Sequence, residues 1–188
     1  MTASKAISVL KRTSLVLAAT MALALSATAG AGAQDAQGKE VERKGASGLP
    51  LPRFVSLKSN RVNVRKGPSK DHAVDWVFSR EGLPVEVIAE SDNWRQVRDA
   101  DGTEGWVFHS LLSGRRTALV MPWSKEGGQI SLYRRRNANS GSIARVEPGV
   151  LGSLQACDGS WCEFSVNGYS GWIEQERLWG VYSGEQVN

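Results

Sequence analysis

The sequence predicts an all-β chain of two small antiparallel barrels in tandem, packed together and preceded by a secretory signal peptide and a flexible linker. Three observations carry this prediction. The stretch from Asn93 to Val107 sets Trp94 and Trp106 on either side of an Asp101-Gly102 turn signal, with strand-like runs on both flanks, and reads as a β-hairpin. The same plan returns from Trp161 to Ile173, where Trp161 matches Trp94, Phe164 matches Val97, and Gly171-Trp172-Ile173 matches Gly105-Trp106-Val107. The spacing is 67 residues for the first two matches and 66 for the last, so one deletion in the hairpin loop suffices and the chain is a tandem repeat. Finally, no segment shows helical periodicity, while short alternating runs end in turn signals every 8 to 12 residues or so, the pattern of small barrels.

Taken from the start, residues 1–33 carry Lys5, Lys11 and Arg12, then an uncharged apolar run from Leu15 to about Ala29, then Ala31-Gly32-Ala33. This is the pattern of a cleavable signal peptide, and the apolar run is shorter than the roughly 20 residues that span a bilayer. The mature chain is expected to begin near Gln34, periplasmic or secreted, without stable membrane insertion after cleavage. Cleavage removes three of the 23 basic residues and none of the 19 acidic ones, leaving 20 against 19, a net charge of +1. So nearly neutral a chain has no electrostatic footprint for nucleic acid.

Residues 34–53 are polar, of mixed charge and without an apolar period, and read as a flexible linker. The remainder divides into repeat 1 (54–117), repeat 2 (118–182) and a C-terminal tail (183–188). Neither repeat is large enough to bury much core alone, so the two are expected to pack on each other across the short bridge from Ser113 to Trp123. In repeat 1, Arg61-Val-Asn-Val-Arg65 and Pro84-Val-Glu-Val-Ile88 alternate polar and apolar residues as strands do, and Gly67-Pro68-Ser69 is turn chemistry. Repeat 2 answers with Ile130-Ser-Leu-Tyr133 and the run from Glu147 to Leu154. One conflict stands out: Trp94 and Val97 are three apart, and a regular strand would send them to opposite faces. A bulge or a peripheral Trp94 resolves it.

Val62-Asn-Val-Arg65, Gly67-Pro68-Ser69, Gly82-Leu-Pro-Val85, Asn93-Trp94, Val97-Arg98 and Gly102-Thr-Glu-Gly-Trp-Val107 together resemble the bacterial SH3-like domain. Repeat 2 matches more weakly, since its first strand runs into Tyr133-Arg-Arg-Arg136 and lacks the Gly-Pro-Ser loop. The arrangement, with its Gly-Leu-Pro-Leu-Pro-Arg-Phe-Val lead-in and its Cys-Asp-Gly-Ser-Trp-Cys hairpin, is similar to exported two-repeat members of that family. The resemblance implies a five-stranded SH3-like barrel in each repeat and a role in binding or targeting at the cell wall, through peptidoglycan peptides and without catalysis. It also sets Asn63, Arg65, the Gly67-Pro68-Ser69 loop and Trp94 beside one groove. Tyr133 and Trp161 are the corresponding candidates in repeat 2.

Cys157 and Cys162 are the only cysteines and flank Asp158-Gly-Ser-Trp161, so a turn there brings them across from each other; with export, a disulfide follows. Bonded to each other they cannot serve as nucleophiles, and a C-x4-C spacing fits neither a common zinc knuckle nor a Cys-x-x-Cys redox pair. His72 and His109, both in repeat 1, stand in no metal-ligand motif, so neither a metal nor a cofactor is expected. A carboxylate pair for glycoside cleavage can meet only in the fold, but no nucleophile motif is present and the repeats use up the length, so the chain reads as a non-enzyme.

Of the seven tryptophans, Trp106 and Trp172 follow glycine in equivalent strands and are expected in the core. Trp94 and Trp161 stand beside acidic turn residues and are either structural or a half-exposed platform for a peptide. Trp76, Trp123 and Trp179 lack repeat partners and are candidates for the interface between repeats. Arg115-Arg116 and Arg134-Arg135-Arg136 are either solvated faces or partners for carboxylates and phosphates. Three functions follow: a wall-binding module for peptidoglycan or its peptides, a module that docks on an envelope protein, and a small wall hydrolase, with the first leading.

Overall fold

The structure is a computed structural model that describes residues 43–124 and 127–188. The signal segment and the linker through residue 42 lie outside the described residues, among which no helix is long and apolar enough to cross a membrane. In chain order the strands are β1 (Arg43–Lys44), β2 (Pro50–Leu51), β3 (Arg53–Leu57), β4 (Val62–Arg65), β5 (Val74–Phe78), β6 (Pro84–Ser91), β7 (Trp94–Arg98), β8 (Glu104–Phe108) and β9 (Leu112–Ser113). They continue as β10 (Thr117–Val120), β11 (Ile130–Tyr133), β12 (Ser142–Val146), β13 (Leu151–Asp158), β14 (Trp161–Val166), β15 (Tyr169–Glu174), β16 (Leu178–Trp179) and β17 (Gln186–Val187). Short 3₁₀ turns at His109–Leu111, Ala138–Ser140 and Gln175–Arg177 are the helical elements among the described residues.

Two antiparallel sheets have the same order, β5-β4-β8-β7-β6-β3-β9 and β12-β11-β15-β14-β13-β10-β16. Each curls around its own core. Val62, Val64, Val85, Val87, Val97 and Val107 fill the first, and Leu132, Leu154, Phe164, Ile173 and Leu178 fill the second. Alternation explains the selection: in β4 the buried Val62 and Val64 take turns with the exposed Asn63 and half-buried Arg65. Both sheets break register at matching places, between Val87 and Ala89 and between Leu154 and Ala156, and again opposite Val64/Arg65 and Leu132/Tyr133. A single inserted residue at each place is a β-bulge, which sharpens the bend a small barrel needs. The β7–β8 register, by contrast, runs unbroken from Trp94↔Phe108 to Arg98↔Glu104. Trp94 and Val97 therefore do point to opposite faces, and the peripheral alternative for Trp94 holds.

The barrels meet along β6. Its first four residues, Pro84–Val87, are all buried, because one face lines the first core and the other faces repeat 2. Thr117 donates its hydroxyl to the Gly82 carbonyl (2.7 Å), Trp179 its indole N–H to the Pro84 carbonyl (3.4 Å) and Tyr182 its hydroxyl to Glu86 (2.9 Å). Phe54 packs edge-on against Trp179 and tilted against Tyr182, with ring centroids 5.0 and 4.7 Å apart. Burial and the neighbouring Glu86 carboxylate raise the Tyr182 phenol well above its usual range, so it stays a donor. Of the three tryptophans proposed for the interface, only Trp179 lies there. Trp76 packs on Phe78 within repeat 1, and Trp123 is 52% exposed.

Three boundaries read from the sequence move. Residues 43–53 are not flexible linker: β1 and β2 pair as a hairpin, and Arg53 opens β3. The bridge between repeats contains a strand, since β10 (Thr117–Val120) pairs with β13 and β16. The supposed tail contributes β17, whose Val187 is buried opposite Cys157. Composition hid these elements because each is too short to show a period, and contacts far along the chain hold them.

Glu90 anchors the N-terminal hairpin. Its side chain is fully buried and accepts from the Ser47 amide (2.7 Å), the Ser47 hydroxyl (2.8 Å) and Arg53 (2.7 Å), with Arg95 3.1 Å away. Burial alone would raise its pKa; the two Ser47 hydrogen bonds, Arg53 and the charge of Arg95 outweigh that and hold it at about 2, down from an ordinary 4.5. A depressed carboxylate pKa contributes stability that is full above the unfolded value near 4.5 and lost as pH falls toward 2. Glu90→Gln is therefore expected to lower the thermal midpoint at pH 7 by several degrees, and the gap from wild type should close between pH 4.5 and 2. Thermal melts across that range check it, and a gap independent of pH would refute the charged clasp.

Candidate functional site

The position of the aromatic face is set by two glycines. A Cβ on Gly105 would lie 2.3 Å from Val64 Cγ1 and 2.9 Å from the Trp76 ring, and one on Gly171 would lie 2.7 Å from Ile143 and 3.0 Å from the Tyr133 carbonyl. Both glycines face inward, paired with the core residues Val97 and Phe164. The next residues, Trp106 and Trp172, must then face outward, and both are half-buried on the outer surface rather than in the core as expected from the sequence. Across the strands the outer face reads Arg65–Trp106–Gln96 in barrel 1 and Tyr133–Trp172–Glu163 in barrel 2.

In barrel 1 this face is occupied by its own contacts. Arg65 donates to the Lys70 carbonyl (3.1 Å) and the His72 carbonyl (2.6 Å), which pins the loop after β4. Gly67 is buried under the His72 ring, so close that a Cβ would meet Nε2 at 2.4 Å. Pro68 is half-buried in the same loop and Asn63 is exposed. Trp94 is only 9% exposed and packs edge-on against its cross-strand partner Phe108, with ring centroids 5.4 Å apart. The side chains expected to converge on a groove thus do share one face, but Arg65 is bound to carbonyls and Trp94 is covered.

Barrel 2 differs at the positions of Arg65 and Phe108. The position of Phe108 is taken by Glu174, the cross-strand partner of Trp161, and a carboxylate leaves Trp161 half-exposed where Phe108 covers Trp94. Tyr133, at the position of Arg65, meets Trp161 edge-on with centroids 5.7 Å apart. Two hollows flank the pair and share Glu174. One, of about 160 Å³, is lined by Tyr133, Ile130, Ser131 and Arg177; the other, of about 280 Å³, by Trp161, Ser160, Gln175 and Glu176. Glu174 pairs with Arg177, and the two carboxylates of Glu174 and Glu176 help raise the Arg177 pKa further.

A family model described as Bacterial SH3 domain matches residues 58–114 and 126–180, together more than half of the chain. The chain belongs to the bacterial SH3 domain family. Solved structures similar to it include NlpC2 and NlpC1 from Trichomonas vaginalis, each 15% identical with a TM-score of 0.31. The alignments cover 69% and 72% of this chain and 48% of each of theirs. Another is an NLPC/P60 family protein from Bacillus cereus ATCC 10987, 14% identical with a TM-score of 0.27, covering 66% of this chain and 55% of that one. The chain thus spans about half the length of these structures. Among curated proteins no match is found.

Around the aromatic face of barrel 2 the remaining polar groups hold the rings in place. Arg136 lies over the Trp172 ring, 4.2 Å from its centroid, and reaches Asp158 at 3.3 Å. Asp158 accepts from the Trp161 amide (2.8 Å) and the Ser160 amide (3.0 Å); these bonds, with Arg136 adding to them, lower its pKa. Of the basic clusters, Arg116 is engaged with Glu185 (2.6 Å) and the Gly180 carbonyl, whereas Arg134 and Arg135 are exposed. The sequence reading missed Glu174 and Arg177; aligning the repeats through the tryptophan hairpin would have shown a carboxylate at the Phe108 position.

The expected disulfide joins Cys157 and Cys162, cross-strand partners with Cα atoms 4.1 Å apart, and closes the turn that carries Asp158 and Trp161. Among the described residues no group of His, Cys, Asp and Glu is placed to hold a metal ion. What the arrangement offers chemically is recognition: an apolar edge, a carboxylate–guanidinium pair and two adjoining hollows. Cys157→Ser/Cys162→Ser is expected to cost about 2 kcal/mol by the loop-entropy estimate. Hydrogen exchange should localise the loss to β13, β14 and β17; a uniform loss across both barrels would contradict a local staple.

Proposed function

We propose that this chain is an exported, non-catalytic binding module that recognises peptidoglycan through its peptides, and that barrel 2 carries the site. The observation that carries this reading is the half-exposed Tyr133–Trp161 pair set between two hollows over Glu174 and Arg177. An aromatic edge packs the backbone and short side chains of an extended peptide, while a carboxylate–guanidinium pair answers the amine and carboxylate groups that wall peptides present. Membership of the bacterial SH3 family supports a binding role. Export supports access to the wall: the sequence of residues 1–33 has the form of a secretory signal, and a disulfide persists in an oxidising compartment.

Pull-down of the full mature chain on purified peptidoglycan, followed by NMR titration with soluble wall peptides, tests the reading. Trp161→Ala should weaken binding at least about tenfold, or about 1.4 kcal/mol, with a thermal midpoint close to wild type. Trp94→Ala should do the reverse, lowering the midpoint because it empties the packing against Phe108, with binding retained wherever the variant is folded. Absence of wild-type binding, or undiminished binding by both Trp161→Ala and Tyr133→Ala, would overturn the assignment. Release of fragments from labelled wall would overturn its non-catalytic part.

A further inference from the structure

The two barrels differ at a second place, on the far side of the inward-facing glycine. In barrel 1, β5 sets Trp76 opposite Val64 and Phe78 opposite Val62, and the two rings pack edge-on with centroids 6.1 Å apart. In barrel 2 the same register sets Ala144 opposite Leu132 and Val146 opposite Ile130. Both strands carry the same one-residue bulge, at Asp75 and at Ile143, so the positions correspond side chain for side chain. An indole and a phenyl ring have been replaced by a methyl and an isopropyl group. Ile143 reaches over Gly171, at 2.7 Å from its notional Cβ, much as the Trp76 ring reaches over Gly105 at 2.9 Å, but it cannot fill the volume of two rings.

What remains is a hollow of about 470 Å³ walled by Ile143, Ala144, Val150 and Val166, with Tyr169 at its mouth. This falls within the roughly 300–1,000 Å³ range of ligand pockets. Its apolar side chains stay open to solvent, Tyr169 at 59% and Ile143 at 37%. Gln129, Arg145, Glu147 and Asn167 form a polar rim.

We propose that this pocket takes an aromatic side chain, tryptophan or phenylalanine, presented by an extended polypeptide. Barrel 1 supplies the argument for the ring, since its own Trp76 stands at the register position that Ala144 holds in the wall of this pocket. The argument for a polypeptide is the strand that forms the wall: β12 is the terminal strand of its sheet, so its outer edge offers backbone donors and acceptors to an added strand, and the rim residues can meet the backbone on either side of the ring. The pocket lies between β12 and the tip of the β14–β15 hairpin, and none of its lining residues belongs to the Tyr133–Trp161 pair.

Titration of the isotope-labelled full mature chain with N-acetyl-tryptophanamide tests it by NMR. Saturable shifts are expected in the amides of Ile143–Val146 and Val166–Tyr169, with N-acetyl-leucinamide at least about tenfold weaker. Ala144→Trp, which gives barrel 2 the side chain of barrel 1, should abolish those shifts while leaving the response of Tyr133 and Trp161 to wall peptide unchanged. Ile143→Trp fills the hollow from the rim and serves the same purpose should Ala144→Trp fail to fold. No saturable shift in wild type, equal affinity for the leucine analogue, or undiminished binding in the folded filled variant would overturn the proposal.

Discussion

A barrel of little more than 60 residues holds a shallow core, and it is tight where β8 crosses β4 and where β15 crosses β11. At each crossing a side chain of any size is excluded: a methyl group on Gly105 would overlap Val64, and one on Gly171 would press on Ile143 and the Tyr133 carbonyl. The glycine settles the orientation of its whole strand. With Gly105 and Val107 inward, Trp106 and Phe108 go outward, and with Gly171 and Ile173 inward, Trp172 and Glu174 follow. The aromatic outer face therefore follows from the steric demand of the core, and any recognition that uses it borrows a surface that folding already requires.

On this shared frame the repeats have diverged by exchanging cross-strand partners as pairs. Where barrel 2 joins Cys157 to Cys162, barrel 1 sets Glu90 opposite Arg95 at the same register. Both pairs clamp the same turn, one by a covalent bond and the other by a buried ion pair. The ionic version is not equivalent to the covalent one, because a buried carboxylate needs further donors to offset its desolvation. Ser47 and Arg53 provide them, and the N-terminal hairpin is ordered as a consequence. Phe108 against Glu174 and Trp76 against Ala144 follow the same logic: barrel 1 closes with aromatic rings, and barrel 2 leaves the corresponding places polar or empty.

The repeat, the strand alternation and the hairpin disulfide were legible in the sequence because each depends on local spacing, whether a period of two, a turn dipeptide or two cysteines five apart. The fate of the tryptophans was not. Hydrophobicity argues for burying Trp106 and Trp172, and only knowledge of which side of the strand the glycine must take reverses that. Trp94 looked available because it stands beside a polar turn, yet its exposure is decided by Phe108, fourteen residues away. Arg65 alternates outward as expected, but its carbonyl partners at Lys70 and His72 belong to a loop whose path no short-range pattern encodes. Strand alternation therefore told which way these side chains face, while partners far along the chain decided how exposed they are.

The interface between barrels gives this divergence a division of labour. Phe54, Trp179 and Tyr182 interlock over β6, and Gly180 of the second barrel sits where a Cβ would lie 3.2 Å from Pro84 Cβ of the first, so a side chain there would press on β6. Tyr182 also fixes Glu86, which in turn holds Arg98, tying the junction into the first sheet. A barrel with partly open pockets leaves apolar surface unburied, here Ile143 and Tyr169. Repeat 2 docks on a neighbour that is filled by its own rings and tied to the β1–β2 hairpin through Glu90, while β17 closes on β13 within repeat 2 itself. On this reasoning the first repeat is the ring-filled partner against which the second packs, and the duplication adds buried surface that neither repeat could supply alone.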